Sequence, residues 1–246
     1  MLIGKHLCRK HSWESKLTIG IALIVPDGVI LVADGRQSHP QSSEPNAGIE
    51  DNIDKVVPLT EHVYAITFGI VQATNSATMS LKASLKHDLS PEHMRCEIDA
   101  SIKLSWNQLL GELASDVDVN HPSMRAALIV GGISHDETFI SASLQGTGVN
   151  QPPLLIKDSF QFIVLGGEQQ QAKDHFAQQL EDIVRNHSWS FSEGPHNVFT
   201  RKIIQGANNT IQHIAELDPT IGGAVRYAVI RKGFSGIKGI YSSDCK

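Results

Sequence analysis

Thr18, Asp34, Lys55 and Gly69 are the positions in the first third of the chain whose types and spacing can do chemistry. A threonine hydroxyl is a weak nucleophile until a base takes its proton, and one available base is the residue's own free α-amine. Asp34 and Lys55 form a complementary carboxylate and ammonium; taken alone, such a pair also fits a surface ion pair worth roughly 0–1 kcal/mol. Thr18 opens an apolar run and Asp34 closes another, and between them lies Pro26-Asp27-Gly28. A Pro-Asp-Gly turn between β-branched runs predicts a hairpin, with Pro26 presetting φ and Gly28 tolerating a positive φ. The hairpin carries a hydroxyl and a carboxylate to fixed places.

The elements needed to hold these residues follow in order. Asn52 to Val57 and His62 to Gly69 predict a second strand pair, with Lys55 near its start and Gly69 at its end. Helical spacing of Ala77, Leu81 and Leu85 predicts a helix from Val71 to about Leu89. Ser90-Pro91 then has the form of a helix start, and the second helix runs to about Ala114 on Ile98, Ile102, Leu104, Trp106, Leu109 and Leu110. Strands are predicted at Arg125–Val130, Thr138–Leu144, Leu154–Lys157 and Phe160–Leu165. Gly166-Gly167 opens a helix with Ala172, Phe176, Leu180, Ile183 and Val184 on one face, and Asn197–Leu217 places Ile204, Ala207, Ile211 and Ile214 on another. Strands Ala224–Arg231 and Ile237–Tyr241 complete the chain. The polar loop from Ser38 to Asn52 joins Asp34 to Lys55 and so lies beside any site they form.

Together these segments resemble a proteasome β-type subunit, an N-terminal-nucleophile hydrolase of the bacterial proteasome-like kind, from about Thr18 to Ile240. Aligned without a gap, the family's nucleophilic threonine falls on Thr18 and its hairpin aspartate on Asp34, sixteen residues later. The active-site lysine falls on Lys55, after a longer connecting loop than usual, and the glycine whose N–H lines the oxyanion hole on Gly69. Near the C-terminus, Asp218-Pro219-Thr220-Ile221-Gly222-Gly223 is similar to the family's aspartate, serine and paired-glycine segment, which puts its active-site aspartate on Asp218. The resemblance implies an α+β fold, a four-layer αββα sandwich, with residues 1–17 as an extension or propeptide and 18–246 as a single domain. It also implies that Lys55 lowers the pKa of the Thr18 hydroxyl and amine, that Asp34 holds Lys55, and that Asp218 orients the Thr18 backbone. Thr67 and Val71 fall where the first specificity pocket is lined, suggesting a neutral one. Three positions depart from the pattern: Leu17 stands where active members carry glycine, and Gly166 and Ile221 stand at two active-site serines.

Composition sets the frame for partners. At 41% hydrophobic and 19% charged residues the chain reads as globular, and its net charge of −5 argues against nucleic acid or an anionic membrane as the main partner. No apolar run approaches a membrane span and residues 1–17 lack a secretory apolar region, so a cytoplasmic location is the simplest expectation. Cys8, Cys96 and Cys245 are too few and too widely spaced for a disulfide framework or a zinc signature, and none of the twelve histidines has ligand spacing. No metal or cofactor is expected. By resemblance the substrate is a peptide or unfolded protein, the assembly is a ring homo-oligomer, and no residue identifies an unfoldase or regulator. Two other readings stay open: a structural ring subunit without chemistry, and an amidohydrolase acting on a small amide.

Overall fold

The computed structural model describes residues 18–38, 49–85, 89–113, 118–120, 124–149, 151–189, 194 and 197–242. Residues 1–17, the bulk of the loop predicted after Ser38, and Cys8 and Cys245 lie outside the described residues. Mixed α+β structure results, with two five-stranded antiparallel sheets and four helices among the described residues. In chain order the elements are β1 (Ile19–Val25), β2 (Gly28–Ala33), β3 (Gln37–Ser38), β4 (Ile49–Glu50), β5 (Val56–Pro58), β6 (Val63–Gly69), α1 (Val71–Ser84), α2 (Pro91–Glu112), β7 (Arg125–Ser134), β8 (Glu137–Gly146), β9 (Leu154–Ile156), β10 (Phe162–Gly166), α3 (Gln169–Asn186), α4 (Val198–Leu217), β11 (Arg226–Arg231) and β12 (Ile237–Ile240). The first sheet has the order β10-β1-β2-β11-β12, the second β5-β6-β7-β8-β9, and β3 and β4 form a short ribbon of their own.

Every residue of β1 and β2 is buried, which explains why both read as continuous apolar runs rather than an alternation. Alternate residues still go to different places. Ile19, Ile21, Leu23 and Val25 pack with Phe176, Leu180, Ile204 and Ile211 of α3 and α4. Ala22, Ile24, Val29 and Leu31 pack instead with Ile66, Phe68, Ile129 and Ile140 of the second sheet. The other face of that second sheet, through Val63, Ala65, Leu128 and Val130, receives Ala77, Leu81, Ile98 and Ile102 of α1 and α2. No described helix is long and apolar enough to cross a membrane.

The starts of α2 and α4 follow their caps. Ser90 Oγ accepts the His93 N–H at 3.4 Å, with Pro91 in the first turn, and Asn197 Oδ1 accepts the Thr200 N–H at 2.7 Å. Leu104 and Val184, placed by periodicity on packed faces, are exposed at 55% and 42%, because the buried strip of each helix is narrower than its apolar arc. β7 extends to Ser134 rather than Val130: Gly131 and Gly132 do not end the strand but permit close approach, a Cβ on them meeting Val29 Cγ1 at 2.8 Å and the His62 carbonyl oxygen at 2.2 Å. Gly28 is a second case. Its φ is not positive, and what excludes a side chain is the Ile230 carbonyl oxygen, 2.0 Å from where a Cβ would sit.

Candidate functional site

Strand pairing brings the chemically able residues to one end of both sheets. Val25 pairs with Gly28 across the two-residue Pro26–Asp27 turn, so Gly20 faces Ala33, and Thr18 and Asp34 emerge together. Ile19 also pairs with Gly166 at the end of β10. In the second sheet Lys55 immediately precedes β5: the Thr67 N–H donates to its carbonyl at 3.1 Å, and two residues earlier the Ile53 N–H donates to the Gly35 carbonyl at 2.9 Å. The Phe68 ring lies where a Cβ on Gly20 would be, at 2.5 Å, so the end of β6 runs under the start of β1.

At the meeting point the Lys55 ammonium donates to Thr18 Oγ1 at 2.8 Å, to Asp34 Oδ1 at 3.1 Å and to the Arg36 carbonyl. Three acceptors match the three N–H donors of an ammonium, so the geometry serves the charged form. Asp34 is fully buried and accepts two backbone donors besides, Ile19 N–H at 3.0 Å and Gly222 N–H at 3.3 Å. Burial pushes the Asp34 carboxyl up to about 6, against the opposing pull of the Lys55 charge and of these hydrogen bonds. Burial likewise pushes Lys55 below its ordinary value, with the Asp34 charge resisting. A lysine that spends a donor on Thr18 Oγ1 polarises that oxygen and cannot be the base that takes its proton.

The remaining predicted residues divide. Gly69 ends β6, exposed and at φ +78°, one residue beyond Phe68; a Cβ there would stand 2.0 Å from the Arg125 carbonyl oxygen. Thr67 is half-buried beside Lys55, and Val71 is the exposed first residue of α1. Asp218 caps the C-terminus of α4, and its Oδ1 accepts the Thr220 N–H at 2.8 Å and the Thr220 hydroxyl at 2.6 Å. Among the described residues its carboxylate hydrogen-bonds to Thr220, not to Thr18. Gly166 sits at φ +127°, with the Thr18 carbonyl oxygen 1.9 Å from where a Cβ would be, and Ile221 is fully buried. No group of three or more His, Cys, Asp or Glu side chains fit to hold a metal occurs among the described residues.

Sequence reasoning passed over Arg36 and Asp51. Arg36 Nε donates to Asp51 Oδ1 at 2.6 Å and Nη2 to Asp51 Oδ2 at 3.3 Å, while Nη1 donates to the Pro219 carbonyl at 2.7 Å and the Ile221 carbonyl at 3.2 Å. The available signal for Arg36 was its place two residues after Asp34; Asp51 has no local signal, since its partner lies fifteen residues away across a polar loop. No protein-family model matches this sequence, and no curated protein does either.

Proposed function

We propose that the chain is a threonine-type peptidase of the proteasome β-type superfamily, a four-layer αββα sandwich that cleaves peptide bonds with Thr18 once residues 1–17 have been removed. The observation that carries the reading is the Lys55 ammonium held between Thr18 Oγ1 and the buried Asp34 carboxylate. The order of the apolar clusters, helices on one sheet, sheet on sheet, then helices on the other, supports the four layers.

On this reading the chemistry runs as follows. The free α-amine of processed Thr18 takes the hydroxyl proton as Oγ1 attacks a peptide carbonyl carbon. The Lys55 charge stabilises the developing alkoxide, and the Gly69 N–H receives the oxyanion, where losing one donor typically costs a factor of about 10² to 10³ in rate. The C–N bond breaks as the leaving amine takes the proton, leaving an ester on Thr18, and water hydrolyses it. Asp218, engaged with Thr220, would order the 218–222 turn whose Gly222 N–H holds Asp34. The substrate is a peptide or unfolded protein, the setting cytoplasmic, and the assembly a ring of copies of this chain.

A second reading, a structural ring subunit without chemistry, is favoured by Leu17 at the processing junction and by Gly166 and Ile221, which bring no side-chain donor to the site. Intact mass and a fluorogenic peptide assay separate the two. The peptidase reading expects a chain beginning at Thr18, no turnover in Thr18→Ala and residual turnover in Thr18→Ser, which keeps both hydroxyl and amine. Full-length mass with no turnover in the parent makes the structural subunit the better reading.

A further inference from the structure

We infer that Asp51 is a positioning residue for Lys55, acting through Arg36 and resting on the peptidase reading above. Three segments carry the site: 34–36 with Asp34, 51–55 with Lys55, and 218–224 with the Gly222 N–H that binds Asp34. The Arg36–Asp51 pair ties all three. Its guanidinium takes both carboxylate oxygens of Asp51 and, through Nη1, the carbonyls of Pro219 and Ile221. The Asp51 carbonyl accepts the Ala224 N–H at 2.7 Å, and the Gly35 N–H donates to the Gly222 carbonyl at 3.0 Å, closing the circuit through the backbone.

The payoff is at Arg36's own carbonyl, the third acceptor of the Lys55 ammonium. A bidentate guanidinium–carboxylate pair fixes orientation as well as distance, so removing the carboxylate leaves Arg36 held through Nη1 alone, unties the 51–55 segment from 34–36 and weakens the grip of the Arg36 carbonyl on Lys55. Gly222 and Gly223, at φ +129° and +74°, keep the turn close: a Cβ on Gly222 would meet Arg36 Cζ at 3.4 Å, and one on Gly223 the Asp51 carbonyl oxygen at 2.6 Å. Asp51 itself is half-exposed, its side chain 56% accessible. With its carboxylate on the solvent side, Asp51 leaves no buried group unpaired on its own element when removed, so Asp51→Ala is expected to fold while the hold on Lys55 loosens.

The test follows the ¹³Cε resonance of Lys55 through a pH titration in the parent, Asp51→Ala and Asp51→Glu, alongside peptide turnover against pH. Loss of an acceptor disfavours the ammonium, so in Asp51→Ala the Lys55 titration is expected to move down by about one pH unit, the equivalent of a charge-assisted hydrogen bond partly lost. Asp51→Glu restores it at least halfway. In turnover, Asp51→Ala lowers kcat about tenfold with KM within about twofold, and its alkaline limb moves down with the Lys55 titration. A Lys55 titration unchanged in Asp51→Ala overturns the inference whether or not the parent cleaves peptides. A parent that begins at Thr18 and has no turnover, yet whose Lys55 titration still moves with Asp51, refutes the peptidase reading and leaves the positioning role standing.

Discussion

Replacing Lys55 by Met tests the chemistry and the electrostatics of the site in one experiment. Methionine keeps the length and much of the volume of the lysine stem while removing the ammonium from Thr18 Oγ1, Asp34 Oδ1 and the Arg36 carbonyl. On the peptidase reading, a unit charge 2.8 Å from Thr18 Oγ1 is worth about 6 kcal/mol to the developing alkoxide at an effective dielectric of ~20. Most of that is felt only as the hydroxyl becomes an alkoxide, so turnover should fall by about 10³ to 10⁴. For stability, breaking one partner out of a buried pair costs about 3–5 kcal/mol. The penalty stays at the low end here, because Asp34, already pushed up to about 6 with Lys55 present, takes up a proton once that charge is gone. The assay combines fluorogenic peptide hydrolysis with urea unfolding at pH 7, adding the double variant Asp34→Asn/Lys55→Met, which removes the stranded carboxylate. The double variant should recover at least half of the lost stability and none of the activity. Turnover of Lys55→Met within about threefold of the parent refutes the reasoning, as does a double variant no more stable than the single one.

The pH dependence of stability carries its own signature. Because the folded Asp34 pKa of about 6 stands above its ordinary 3.8, the unfolded chain loses this proton first, and stability falls as pH rises from about 4 to 6 by up to about 3 kcal/mol. Asp34→Asn removes that slope; a parent-minus-variant difference in unfolding free energy that stays constant over this window contradicts it. Gly166→Ala should cost at least about 3 kcal/mol and disturb Thr18, since the new methyl meets the Thr18 carbonyl oxygen at φ +127°; a urea midpoint equal to the parent's overturns this. Arg231, fully buried, binds Asp27 and the Gly194 carbonyl and lies over the Trp189 ring at the turn end of the first sheet, away from Thr18. Arg231→Met should therefore cost about 3–5 kcal/mol in unfolding while leaving turnover per folded molecule unchanged, and a variant that unfolds with the parent contradicts the assignment.

How much of this was legible depends on whether a residue's role is local. The Pro26–Asp27 turn sets the hairpin register, and from Gly20 facing Ala33 the meeting of Thr18 and Asp34 follows by counting. Lys55 required more, because its approach depends on one sheet lying on the other, yet its place beside a strand pair was readable from the runs Asn52–Val57 and His62–Gly69, of which the first forms a strand only from Val56. Helix starts at Ser90 and Asn197 were written in their capping residues. Close approach was not: Gly28, Gly131 and Gly132 look like turn or strand-end glycines until the facing strand is in place, and the carbonyl oxygen or side chain that forbids a Cβ belongs to a distant part of the chain. The Arg36–Asp51 clamp was hidden for the same reason, as opposite charges fifteen residues apart across a polar loop are indistinguishable from two solvated side chains. Asp218 was placed by its order in the chain alone, and among the described residues its carboxylate bonds locally to Thr220, a contact that order does not reveal.

The saturation of Lys55 bears on when the proposed nucleophile can act. With its three donors engaged by Thr18, Asp34 and Arg36, the ammonium makes the Thr18 hydroxyl easier to ionise without accepting its proton. Asp34 is no better placed, since its carboxylate is occupied by Lys55, the Ile19 N–H and the Gly222 N–H and lies wholly out of solvent. While Leu17 is joined to Thr18, the Thr18 nitrogen is an amide whose lone pair is delocalised and whose basicity is negligible. Among the described residues the cluster therefore brings a positive charge to the Thr18 hydroxyl but no group free to take its proton. On the peptidase reading, cutting the Leu17–Thr18 bond supplies that base at the nucleophile's own residue, so one covalent event would convert a preorganised but inactive cluster into a working one without rearranging either sheet.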